Sequence, residues 1–250
     1  MFDLGYKYKQ PKVLLTTDNA KTIKGEDLGY KTLICYMSPH KQNTFGRNLC
    51  PKATAGCMAS CLFTAGRGRF STTKICRLRK SEFFLSNKDL FMEQLVTEIT
   101  KAVRNKKDKQ ICVRLNGTTD VPFENIKVGK FDNIMSMFPD IQFYDYSKIA
   151  TRFKKELPKN YHLTFSMAET EQNKKECFDL LDKGFNVAVV FNVKDETELP
   201  KTYKGFKVVN GDMHDLVFKH KTNSKKGIIV GLKAKGLAKK DTSGFVVTDF

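Results

Sequence analysis

The 250-residue chain has no tryptophan, few acidic side chains (27 Asp and Glu against 44 Lys and Arg) and no long apolar run. A membrane-spanning helix needs roughly 18 consecutive apolar residues. No segment approaches that, so the expectation is a protein without a membrane partner. Met1 to Gln10 carries neither an apolar h-region nor a small-residue cleavage site. No secretory signal is therefore expected, and the expected location is the cytoplasm. Internal repeats, low-complexity stretches and linker-like segments are also missing, which favours one domain over residues 1–250.

What the chain does have is 40% hydrophobic residues, with 20 Phe standing in for the missing indoles, enough for a sizeable core. It also has a formal net charge of +17. A field of that sign makes polyanions the expected partners, either nucleic acid (DNA or RNA) or a nucleotide. Arg67, Arg69, Arg77 and Arg79 cluster directly downstream of a cysteine motif, where guanidinium groups suit phosphate positioning. The plainer alternative is a solvated basic face.

Seven cysteines are present: Cys35, Cys50, Cys57, Cys61, Cys76, Cys112 and Cys177. In a reducing compartment they are expected as thiols and ligands rather than disulfides. Three of them fall in Cys50-Pro-Lys-Ala-Thr-Ala-Gly-Cys57-Met-Ala-Ser-Cys61. Thiolates are soft ligands suited to zinc or iron-sulfur clusters, and a cluster held by three of them keeps one coordination position open for chemistry. If a helix begins near Gly56, Cys57 and Cys61 share a face, and Cys50 completes a tripod by folding back across 51–56. A structural zinc would take a fourth ligand, for which Cys76 or His40 is nearest in sequence. Cys35 and Cys112 fall in strand-like runs and are expected in the core.

The apolar pattern predicts strands over 32–37, 111–115, 141–144, 162–165, 187–191, 206–209 and 228–232. It predicts helices over 81–107, 125–138 and 171–183. Residues 1–30 are expected as an arm or hairpin, 40–80 as a cysteine and arginine loop, and 236–250 as a packed tail. Alternating strands and helices imply a parallel sheet, hence an α/β fold: a complete or partial (β/α) barrel of TIM type. Polar residues follow the strands, and the acids among them are Asp120, Asp145, Glu169 and Asp212. At the carboxyl ends of parallel strands these are candidate catalytic residues, and Lys233 is a candidate nucleic-acid contact.

A cysteine trio in the loop after the first strand of an α/β barrel resembles the radical S-adenosylmethionine superfamily. The Cys-x6-Cys-x3-Cys spacing is similar to three-cysteine proteins encoded by bacteriophages. That second likeness is carried by 50–57, 62–68, 115–120 and 143–148 and spans most of the chain. The superfamily resemblance implies a [4Fe-4S] cluster on Cys50, Cys57 and Cys61 whose open iron binds S-adenosylmethionine for reductive cleavage. The spacing differs from the usual Cys-x3-Cys-x2-Cys, and Asn116-Gly-Thr-Thr-Asp120 stands where a Gly-Gly-Glu-Pro-like element is expected.

Two other functions fit the same residues. Paired aspartates at a barrel mouth can act as nucleophile and general base in exchange at a glycosidic carbon, with zinc as a structural element. In architecture this resembles the tRNA-guanine and phage DNA-guanine transglycosylases. The third reading is a phage nucleic-acid-binding protein, without catalysis, whose metal only holds a loop.

Overall fold

Residues 10–17, 20–220 and 224–250 are described by the computed structural model. The first nine residues of the arm or hairpin expected over 1–30, and the leader question with them, lie outside these. In chain order the elements are β1 (Leu15–Thr16), α1 (Ala20–Glu26), β2 (Tyr30–Cys35), α2 (Ala55–Ala59), α3 (Ser71–Ser86), α4 (Lys88–Arg104) and β3 (Gln110–Arg114). There follow α5 (Ile134–Met137), β4 (Gln142–Ser147), β5 (Tyr161–Ser166), α6 (Glu171–Asp182), β6 (Val187–Phe191), β7 (Thr202–Tyr203), β8 (Phe206–Asn210) and β9 (Ile229–Lys233).

The nine strands have the order β1-β2-β3-β4-β5-β6-β9-β8-β7. The fold is mixed α/β with a mostly parallel sheet, as the alternation implied, but the sheet is open, so barrel closure is not found. The physical reason is at its ends. β1 and β7 are two-residue strands that pair antiparallel, β1 with β2 and β7 with β8. A parallel barrel would require the outermost strands to pair with each other. Sequence patterning detects neither, because two residues carry no period.

Packing divides the chain into two compact units. The first comprises the described parts of Met1–Pro51, with Arg67–Asp145 and Leu157–Tyr161. In it β2 and β3 run parallel, with Tyr30 opposite Gln110 and Ile34 opposite Arg114. Helices α3 and α4 connect them. The expected helix over 81–107 is in fact two, parted at Asn87, whose extended backbone (φ −148°) ends α3 while its side chain accepts from the Leu90 amide to cap α4. Arg77 and Arg79 consequently lie on helix α3 rather than in a loop. Phenylalanine fills the core beneath: Phe91 has its ring centroid 5.7 Å from Phe83 and 5.2 Å from Phe84, and Phe84 lies 5.8 Å from Phe123.

The helix expected over 125–138 shrinks to α5. Gly129, at φ +55°, turns the chain so that Val128 bridges Phe131, and the helix starts only at the capping box of Asn133 and Ser136.

The second unit comprises Lys52–Gly66, Tyr146–Glu156 and His162–Phe250. β6 is an uninterrupted apolar run, buried at all but one position, and β9 inserts beside it, Val187 opposite Ile229 and Phe191 opposite Lys233. β8 pairs with the other side of β9. In the tail, Val247 bridges Phe191, and the Phe250 ring meets that of Phe191 at 5.2 Å. Among the described residues no helix is long and apolar enough to cross a membrane.

Candidate functional site

In the first unit, the loop after β2 carries Cys50. Its Sγ accepts from the His40 amide at 3.3 Å and contacts the Thr118 carbonyl at 3.6 Å, just past β3. The loop is tied down twice more. The Asp120 amide donates to the Leu49 carbonyl (2.8 Å), and the fully buried Glu82 of α3 accepts from the Thr44 amide and hydroxyl, both at 2.6 Å. Gly117 allows this crowding, since a Cβ there would stand 2.5 Å from the Tyr36 ring. Burial lowers the pKa of His40 below the ordinary imidazole value. The Arg77 guanidinium lies over the Tyr36 ring at 5.0 Å.

Asp145 ends the first unit's share of β4 in the interior. Its Oδ1 accepts from the Asn116 amide (2.7 Å), and its Oδ2 accepts from the Asn116 side chain (3.1 Å) and the Tyr161 hydroxyl (3.0 Å). Asp120 is also buried.

In the second unit, Cys57 lies on α2. Thr54 caps that helix and Ser60 ends it, so Cys61 falls beyond it with extended backbone (ψ 134°). The two cysteines therefore do not share a helical face, because the helix stops two residues short of Cys61. Glu169, just past β5, accepts from the Gly56 amide (2.8 Å) and the Thr54 hydroxyl (2.6 Å). Burial raises its pKa, but the hydrogen bonds from Thr54, its own backbone and Gly56 outweigh this and leave it below the ordinary carboxylate value. At the far end of the loop Ser60 donates to Asp241 (3.3 Å), which also accepts from the Ser243 hydroxyl (2.7 Å) and the Val246 amide (3.0 Å).

Asp212 is buried after β8. It accepts from the Lys233 amide (2.8 Å) and the Lys235 ammonium (2.6 Å). The side chain of Lys233 instead donates to the Lys194 carbonyl (3.0 Å). Between β4 and β5, Lys148 donates to the Ser166 hydroxyl (2.6 Å) and lies 5.4 Å from the Phe245 ring. Arg67 and Arg69 are exposed in a 3-10 turn, whereas Arg77 and Arg79 are half-buried.

No disulfide joins any of the cysteines, and they divide sharply by environment. Cys35, Cys112 and Cys177 are enclosed, and burial pushes Cys35 and Cys177 up to about 12. Cys50, Cys57 and Cys61 are half-buried, and Cys76 is exposed. Among the described residues no three His, Cys, Asp or Glu side chains form a ready-made metal cluster. Residues that sequence reasoning missed are Thr54, Ser60, Glu82 and Asp241. Thr54 had a signal, a capping residue ahead of a small-residue run, but Asp241 acts across a sequence distance that no local pattern spans.

These features define a class: a mixed α/β protein on an open, mostly parallel sheet, with cysteine-bearing loops and internally bonded carboxylates beyond the strand ends. The chain belongs to the phage gene product 88 family, whose model matches residues 13–249. No radical S-adenosylmethionine family model matches it, and no curated protein or solved structure does so significantly.

Proposed function

We propose that the chain is a metal-dependent enzyme acting on nucleic acid or nucleotides, with Cys50, Cys57 and Cys61 holding a [4Fe-4S] cluster that takes up S-adenosylmethionine. The observation that carries this reading is the contrast among the thiols. The trio stands half-buried, Cys50 and Cys61 on loops and Cys57 on the short helix α2, while three other cysteines are sealed in the core. Soft thiolates fit an iron-sulfur centre, and the chain alone keeps Cys50 and Cys57 within roughly 25 Å of each other before any loop movement. When bound, such a cluster supplies the electron for reductive cleavage of S-adenosylmethionine. The chain's own part is to hold the loops: Glu82 fixes the Cys50 segment through Thr44, and Glu169 and Asp241 fix the Cys57 segment.

Base exchange by paired aspartates has weaker support. Asp145, Glu169 and Asp212 each commit both oxygens to internal hydrogen bonds, so these three are held as internal acceptors rather than presented for attack at a glycosidic carbon. The same observation favours, as a second reading, a zinc-stabilised nucleic-acid-binding protein without catalysis.

Protein reconstituted anaerobically with iron and sulfide, then reduced, should release methionine from S-adenosylmethionine, and Cys57→Ala should release none. A loaded protein that gives no more methionine than the variant would overturn the enzyme reading. The polyanion partner is supported by the +17 charge and the open Arg67 and Arg69. Affinity for DNA or RNA should fall at least about tenfold between roughly 50 and 200 mM salt, since even two neutralised phosphates give that slope. Salt-insensitive binding would turn the search towards small acidic substrates.

A further inference from the structure

We infer that Glu169 is a positioning residue that sets Cys57 through Thr54, rather than an acid or base in the reaction. This rests on the reading of Cys57 as a metal ligand. The geometry is a relay of two hydrogen bonds. The Thr54 hydroxyl donates a hydrogen bond to Glu169 Oε2 at 2.6 Å, which turns the oxygen's lone pairs towards the Cys57 amide, 3.2 Å away. The other carboxylate oxygen accepts from the Gly56 amide at 2.8 Å. Two consecutive amides at the start of α2, one of them that of Cys57, are thus ordered by one side chain from the end of β5.

The approach depends on Gly56 having no side chain. A Cβ there would stand 2.8 Å from the Glu169 carboxyl carbon and 2.2 Å from Ser243 Oγ. Cys57 in turn packs against the cluster of Ala168, Ala234, Ala238, Phe245 and Val246, so Glu169 and its neighbour Ala168 hold the same cysteine from the polar and the apolar side. A carboxylate with both oxygens accepting from the loop must break that loop's anchoring to exchange a proton with a substrate. That is the behaviour of a brace, and it removes Glu169 from the acid-base candidates.

The test compares wild type with Glu169→Gln, Thr54→Val and Thr54→Ser. In the apoprotein, the alkylation rate of Cys57 is measured by mass spectrometry against exposed Cys76 as internal reference. Iron bound after anaerobic reconstitution and the melting temperature are measured in parallel. Thr54→Val, which removes only the relay hydroxyl, should raise Cys57 labelling about tenfold, the scale of one lost hydrogen bond. It should also reduce bound iron by at least half, with the melting temperature close to wild type. Thr54→Ser, which keeps the hydroxyl, should restore both, and Glu169→Gln should fall between.

Unchanged Cys57 labelling in both Thr54→Val and Glu169→Gln would overturn the inference, whatever the metal content. Raised labelling in a protein whose wild type takes up no iron would uphold the brace and remove the cluster reading. The two failures are therefore distinguishable.

Discussion

Replacing Asp145 with alanine will lower the unfolding free energy by about 3–5 kcal/mol, the scale of leaving several buried donors without an acceptor. Asp145 is 1% exposed, and its carboxylate accepts hydrogen bonds from the Asn116 amide, the Asn116 side chain and the Tyr161 hydroxyl. Alanine leaves all three donors facing a small dry cavity, and each orphaned donor carries its full desolvation penalty. Asn116 compounds the loss, because its side-chain oxygen also accepts from the Val121 amide (2.7 Å) and the Thr119 hydroxyl (2.9 Å), which order the turn after β3. Asp145→Asn should cost less, since its carbonyl still accepts from the Asn116 amide and the Tyr161 hydroxyl can turn to accept from the new amide. For a chain of this size the alanine variant should melt roughly 10 °C lower or more. A melting temperature unchanged to within a degree or two, with function lost, would return Asp145 to the catalytic candidates.

The inner strands were legible because each has an apolar stretch within five or six residues, and the amphipathic period marks α6: β6 and α6 fall within one residue of their expected bounds. The failures have local causes. Asn87 is an ordinary polar residue inside a helical period, yet it serves as the end of one helix and the cap of the next. Gly129 and the Asn133 capping box replace two turns of expected helix, a choice that periodicity averaged over the window conceals. For the site, the candidate carboxylates were found as residues, but their partners were not. Lys235 rather than Lys233 reaches Asp212 with its ammonium, and Glu169 reaches back 115 positions to Thr54. Long-range pairing of this kind depends on the strand order, including the insertion of β9 between β6 and β8, which no single segment encodes.

Single substitutions among the cysteines should separate ligands from bystanders in an all-or-none way. Cys50→Ala, Cys57→Ala or Cys61→Ala should each remove nearly all bound iron, because two thiolates do not retain a cluster that needs three protein ligands. Cys76→Ala, on the exposed face of α3, should keep the wild-type content. Cys177→Ala should also keep it while losing stability, since that thiol is sealed in the core and its pKa is pushed up to about 12 by burial.

The most direct measurement is the metal content of the wild-type protein purified without oxygen. The account predicts a brown protein carrying about four irons per chain. A colourless protein with one zinc per chain, or one with no metal that gains none on reconstitution, would contradict it.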